Sequence, residues 1–213
     1  FAIPEIAEKA AGILEMWLPG TAGCLGIADI ISGKISPCGR LSMSFPYCTG
    51  QYPISYSAFN TGRPKDNSVK GYIPFLSNYM DAPNIPLYPF GYGLTYTSFE
   101  YSPVTLSAVR LTMNGSITAG VTVTNTGDRQ GCETVQLYIR DLKGSVVRPL
   151  RELKGFKKIT LEAGGSANVS FEITADMLRF YGIDMEFAAE KGGFVLYIGG
   201  DSSTENSAEF KLI

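Results

Sequence analysis

Three hydrophobic rhythms follow one another along this chain. From residue 4 to residue 17, Ile6, Ala10, Ile13, Leu14 and Trp17 recur at helical spacing, with Glu5, Glu8, Lys9 and Glu15 on the opposite side. That pattern predicts an amphipathic helix, begun by Pro4 and ended by Pro19-Gly20. A second short helix is predicted over 21–32, where Ala22, Gly23, Gly26 and Ala28 are mixed with Leu25, Ile27, Ile30 and Ile31. So many small residues imply close approach to another backbone, and Gly33 is placed to terminate the helix. Leu41, Met43 and Phe45 then alternate with Ser42 and Ser44, a half-buried strand. Helix, helix, strand is the tail pattern of an α/β domain; by itself it could not close a core.

The second rhythm is the absence of one. Residues 47–85 are irregular, broken by Pro53, Pro64, Pro74 and Pro83. A structureless stretch of that length is usually functional or wrapped over a neighbour. The segment from Pro86 to Tyr101 is dense in aromatics and glycine and carries a single charge, Glu100. Its rings need a large surface to bury against, and its glycines let the backbone turn beneath them. It reads as a packed hinge between two unlike parts.

The third rhythm is strict alternation, from about residue 103 onward. Ile117, Ala119, Val121 and Val123 form one apolar row, followed by a turn at 125–128. Val135, Leu137 and Ile139 alternate with Gln136 and Tyr138. Further strands are predicted over 151–161, 167–173, 194–198 and 209–213, with a capped helical turn at 174–177. About seven strands with regularly spaced turns indicate a β-sandwich. The chain is therefore α+β overall: a partial α/β sandwich of two helices and a strand over 1–48, an irregular aromatic connector over 49–102, and a seven-stranded sandwich over 103–213.

Composition narrows the chemistry. The net charge is −2, whereas a nucleic-acid partner calls for a basic footprint. No apolar run approaches the ~20 residues of a membrane-crossing helix. The chain opens at Phe1 in what reads as the interior of a domain, so it is expected to be a piece of a longer protein, with any targeting signal elsewhere. Four cysteines, Cys24, Cys38, Cys48 and Cys132, form no CxxC pair. A Cys38–Cys48 disulfide fits the spacing, but buried free thiols in a reducing, cytoplasmic compartment are preferred, with secretion left open. The chain has no histidine. That removes Ser-His-Asp and Cys-His catalysis and most transition-metal sites, leaving carboxylates, tyrosine, lysine or a thiol.

Candidate groups read mostly as structural. The glycines of 20–23 and 91–93 lack the strand–loop–helix setting of a phosphate site and are read as tight turns. Glu5, Glu8 and Glu15 are surface charge on the first helix. Asp29 is expected to cap its helix or pair with Arg40. Asp66 and Asp81 could border a pocket. Arg148, Arg151, Lys154, Lys157 and Lys158 are read as a solvent-facing strand surface that discourages edge pairing. Tyr52, Tyr56, Tyr72, Tyr79, Tyr88 and Tyr92 could stack on sugars, but packing between domains is the preferred reading.

Several blocks together carry a family resemblance. Trp17-Leu-Pro-Gly20, residues 26–33, residues 36–41 and Phe45-Pro46 resemble the end of the second, α/β-sandwich domain of glycoside hydrolase family 3. Residues 87–101 resemble the segment leading to its third domain. Residues 123–127, 131–138, 148–149, 152–156 and 193–199 resemble that third, fibronectin type III-like domain. The resemblance is closest to β-glucosidase-like members and implies a retaining glycosidase acting on β-linked oligosaccharides, with β-xylosidase or arabinosidase as alternatives. It implies an aspartate nucleophile on an upstream barrel and a glutamate acid/base upstream in the second domain. Neither has a matching position here, so no catalytic, cofactor-binding or metal-ligating residue is carried over and no cofactor is expected. The implied partner is that upstream barrel and α/β polypeptide, and a homo-oligomer is compatible with the reading. A free-standing carbohydrate- or protein-binding sandwich is the competing class. The first fifty residues argue against it, since a binding module has no use for half an α/β domain.

Overall fold

The computed structural model describes residues 2–66, 69 and 71–213. Among these, two α-helices precede eleven strand segments: α1 (Pro4–Lys9), α2 (Gly23–Ile31), β1 (Phe99–Tyr101), β2 (Thr105–Leu106), β3 (Arg110–Leu111), β4 (Ser116–Asn125), β5 (Gly131–Asp141), β6 (Glu152–Leu161), β7 (Ser166–Thr174), β8 (Phe180–Tyr181), β9 (Phe187–Ala188), β10 (Gly192–Gly199) and β11 (Ser207–Leu212). Single 3₁₀ turns occur at Thr49–Gln51 and Ala175–Leu178.

The sandwich forms as the alternation predicts. In one sheet β4 is flanked by β7 on one edge and by β1 and β2 on the other, the latter two acting as one interrupted strand. The other sheet runs β3-β11-β10-β5-β6, antiparallel except for the parallel β3–β11 pair. A bulge at Leu137/Tyr138 adds one residue to β6. The inner faces bury Ile117, Val121 and Val123 of β4 and Val169 and Ile173 of β7 against Val135, Leu137 and Ile139 of β5 and Phe194, Leu196 and Ile198 of β10. Phe194 and Phe210 stack across β10 and β11 at 5.4 Å. β8 and β9 form a separate small hairpin.

The N-terminal piece differs from its prediction in two places. α1 ends at Lys9 rather than reaching Trp17; Ala10 is already extended, and no residue of the helix is buried. A short helix without a packing partner has only propensity to sustain it, and Gly12 weakens that further. α2 runs nearly as predicted, with Gly33 at φ +74 just beyond it, yet it too buries nothing. The strand expected at 41–45 is not a regular strand. It becomes an irregular ladder onto the aromatic segment: Leu41 N donates to Tyr92 O (2.8 Å), Gly91 N to Leu41 O (2.7 Å), Phe45 N to Tyr88 O (2.8 Å) and Leu87 N to Phe45 O (2.7 Å). Phe45 is the buried ring of this pair of stretches, with Tyr88 edge-on at 6.2 Å.

Candidate functional site

The features that set this chain apart meet at the outer face of β5. The core takes Val135, Leu137 and Ile139, so Cys132, Thr134, Gln136 and Tyr138 point the other way, where an antiparallel sheet would ordinarily meet water. Here that face is covered. Tyr138 is fully buried. Tyr56 lies edge-on to it at 5.8 Å and stacks on Phe90 at 4.3 Å. Beneath the rings, Tyr138 Oη donates to Gln136 Oε1 (2.5 Å), and Gln136 Nε2 donates to the carbonyls of Gly91 (3.1 Å) and Gly200. Ser202 N donates to Phe90 O at 2.9 Å. The hinge segment is thus bonded to β5 and to the loop after β10.

Gly91 makes the approach feasible. Its φ is +81, and a Cβ there would stand 2.1 Å from Gln136 Oε1. Only glycine combines that conformation with that proximity. Next to it, Arg40 reaches from the N-terminal piece to Glu133 of β5 at 2.9 Å, both side chains under 10% exposed (9% and 7%). This replaces the expected Asp29–Arg40 pairing: Asp29 pairs with Lys34 at 3.0 Å instead. Burial, reinforced by the nearby Glu133 carboxylate, pushes the Tyr101 hydroxyl above its usual range. Burial does the same to Tyr138 and, with Tyr88 beside it, to Tyr92. These phenols stay protonated at neutral pH.

The candidate tyrosines divide. Tyr56, Tyr88 and Tyr92 belong to the covered seam, with Tyr88 and Tyr92 stacked at 5.1 Å, whereas Tyr52, Tyr72 and Tyr79 are exposed. Glu5, Glu8, Asp66 and Asp81 are exposed, and Glu15 accepts from Trp17 N. The basic run does not form one solvent-facing surface. Arg151 lies 3.9 Å over Tyr197, donates to Ser202 O (2.7 Å) and pairs with Glu205. Arg148 lies 3.9 Å over Phe180, between Asp141 and Glu152. Guanidinium groups stack and fork in this way more readily than ammonium groups; Lys157 and Lys158 are exposed, although the Lys157 ammonium lies 5.4 Å over Phe171 and donates to Ser170 O (2.5 Å). Sequence reasoning passed over Gln136, Tyr138 and Glu133. For Gln136 and Tyr138 the signal was an outer strand face without the charges that water-facing positions usually carry; for Glu133 it was a carboxylate in the same alternating row as Val135, Leu137 and Ile139.

A second surface is unpartnered. Leu18, Leu25, Ile31 and Ile35 are 98%, 71%, 73% and 51% exposed, an apolar density beyond the scattered surface residues of a closed domain. Among the described residues, no group of three or more acidic, cysteine or histidine side chains is placed to hold a metal ion, and no helix is long and apolar enough to cross a membrane.

Fold and interface define a two-part region: the end of an α/β domain fastened by an aromatic seam onto a fibronectin-like sandwich. Comparison with known proteins agrees with that class. Residues 1–96 match the model of the glycosyl hydrolase family 3 C-terminal domain, and residues 133–202 match the fibronectin type III-like domain. The chain belongs to glycoside hydrolase family 3. It is similar to a periplasmic β-glucosidase of Salmonella typhimurium, 45% identical over 100% of the chain and 28% of the relative. It is also similar to a putative β-xylosidase of Formosa agariphila, 43% identical over 99% of the chain and 26% of the relative. The crystal structure of a β-glucosidase from Listeria innocua in complex with glucose superimposes with a TM-score of 0.93 at 39% identity, over 100% of this chain and 29% of that one. The chain therefore spans little more than a quarter of the length of these relatives.

Proposed function

We propose that this chain is the C-terminal portion of a retaining β-glucosidase that removes terminal β-linked glucose from oligosaccharides or glucosides. In this reading residues 1–48 complete the second, α/β domain, residues 49–102 wrap the junction, and residues 103–213 brace it. The observation that carries the proposal is the unpartnered apolar face around α2, on a piece whose aromatic seam is packed against the sandwich. One side of the N-terminal piece is finished against the sandwich and the other awaits polypeptide. The two catalytic carboxylates, which in a retaining enzyme stand only ~5 Å apart, are assigned to that other polypeptide, and the chain's role is to position the domain that bears on them.

Hydrolysis of an aryl β-glucoside tests this. The 213 residues alone are expected to give no turnover, and their complex with the upstream polypeptide is expected to be active. Turnover by the chain alone would sink the proposal. The Formosa agariphila relative supports a second reading, a β-xylosidase; a higher kcat/KM on the aryl β-xyloside than on the glucoside would select it.

A further inference from the structure

The proposed function leaves the cysteines unused. All four are free thiols, Cys24 exposed and the others half-buried. Cys132 stands on the outer face of β5, one residue before Glu133. Cys38 lies in the N-terminal piece, two residues before Arg40. The Arg40–Glu133 ion pair at 2.9 Å holds these two stretches against each other, and Cys38 is close enough to Cys132 to act on its thiol. Cys38 therefore has as its neighbour a cysteine far off in sequence, on the opposite side of the seam.

We propose that Cys38 and Cys132 are a redox modification site, oxidised by a low-molecular-weight disulfide to a cross-link that fastens the N-terminal piece to the sandwich. The two sulfurs have unequal surroundings. Burial, with Cys38 alongside, pushes the Cys132 thiol up, while Thr160 and Lys158 oppose this in part. A thiol held protonated is slow to open an exchange, which makes Cys132 the resolving partner. The Cys38 thiolate attacks one sulfur of the small disulfide; its S–S bond breaks and one thiolate leaves. Deprotonated Cys132 then attacks the Cys38 sulfur and expels the second thiolate. Two protein thiols are oxidised, one small disulfide is reduced, and the two protein protons end on the two released thiols.

The test treats the intact protein with oxidised glutathione, quenches by alkylation, and maps peptides without reduction. A linked pair containing Cys38 and Cys132 is expected, absent from Cys38→Ser and from Cys132→Ser. Melting should rise by roughly 5–10 °C and fall back on reduction, because the closed loop is long. A Cys38–Cys48 link, a stable glutathione adduct on either cysteine without a link, or unmodified thiols would overturn the site. A Cys38–Cys132 link with unchanged melting would overturn its fastening role.

Discussion

At the scale of single residues, the seam depends on the absence of a side chain as much as on its rings. Gly91→Ala would place a methyl group 2.1 Å from Gln136 Oε1 at a φ of +81. Relieving the clash moves Gln136 off its two carbonyl partners. The expected loss is about 2–4 kcal/mol, read by chemical denaturation of the intact protein; a change within ~0.5 kcal/mol would contradict the close approach. Asp141 makes a prediction about pH. Burial raises its pKa, and Arg148 opposes the rise. The folded state thus binds this proton more tightly than the unfolded chain, so the ionised carboxyl is a liability at neutral pH that fades as pH falls through the folded pKa. Relative to Asp141→Asn, which cannot titrate, the wild type should gain melting temperature on acidification from neutral pH. A difference independent of pH would exclude the effect.

At the scale of elements, the contact between the N-terminal piece and β5 is partly ionic. Removing one member of a buried pair strands the other: Arg40→Ala should lose about 3–5 kcal/mol. Replacing both Arg40 and Glu133 with apolar side chains of similar volume should recover most of that loss. If the double variant is as unstable as the single one, the pair contributes through something other than mutual neutralisation. The same scale shows what the sequence makes legible. The apolar rows beginning at Ile117, Val135 and Ala167 recur in a period of two, and β4, β5 and β7 lie where that period puts them; burial follows it in β4 and β7, whereas β5 is buried on both faces. The two-residue strands β2, β3, β8 and β9 are too short to show a period; they exist because a long neighbour offers them an edge or a hairpin closes on itself. The helical period through Ile13, Leu14 and Trp17 reads as one long helix, yet α1 stops early. A period reports which face would be buried, and in α1 no residue of that face is buried. At the seam, the rings of 86–101 show in the sequence that burial occurs, but the partners Gln136 and Tyr138 do not. Which strand face receives a connector depends on where a long irregular loop returns.

At the scale of the molecule, stability should be strongly uneven. The sandwich has a closed core, whereas α1 and α2 bury no residue. Local opening follows buried contact. In the chain alone, amide hydrogens of 4–9 and 23–31 are expected to exchange at close to unprotected rates, while those of β4, β5 and β10 are the slowest. Adding the upstream polypeptide should slow exchange across 23–31. Equal protection of α2 in both samples would remove the basis for treating its apolar face as a junction.

The covered outer face of β5 also bears on how such proteins can be recombined. Because Gln136 and Tyr138 are matched to Gly91, Phe90 and Tyr56, the sandwich cannot be lifted from one relative onto another at its first strand without stripping that face. The transferable unit begins earlier, near Ser36, and carries Arg40 and the whole connector with it. Chimaeras joined before that point should inherit a finished seam, whereas those joined near residue 103 must rebuild it between two unrelated surfaces.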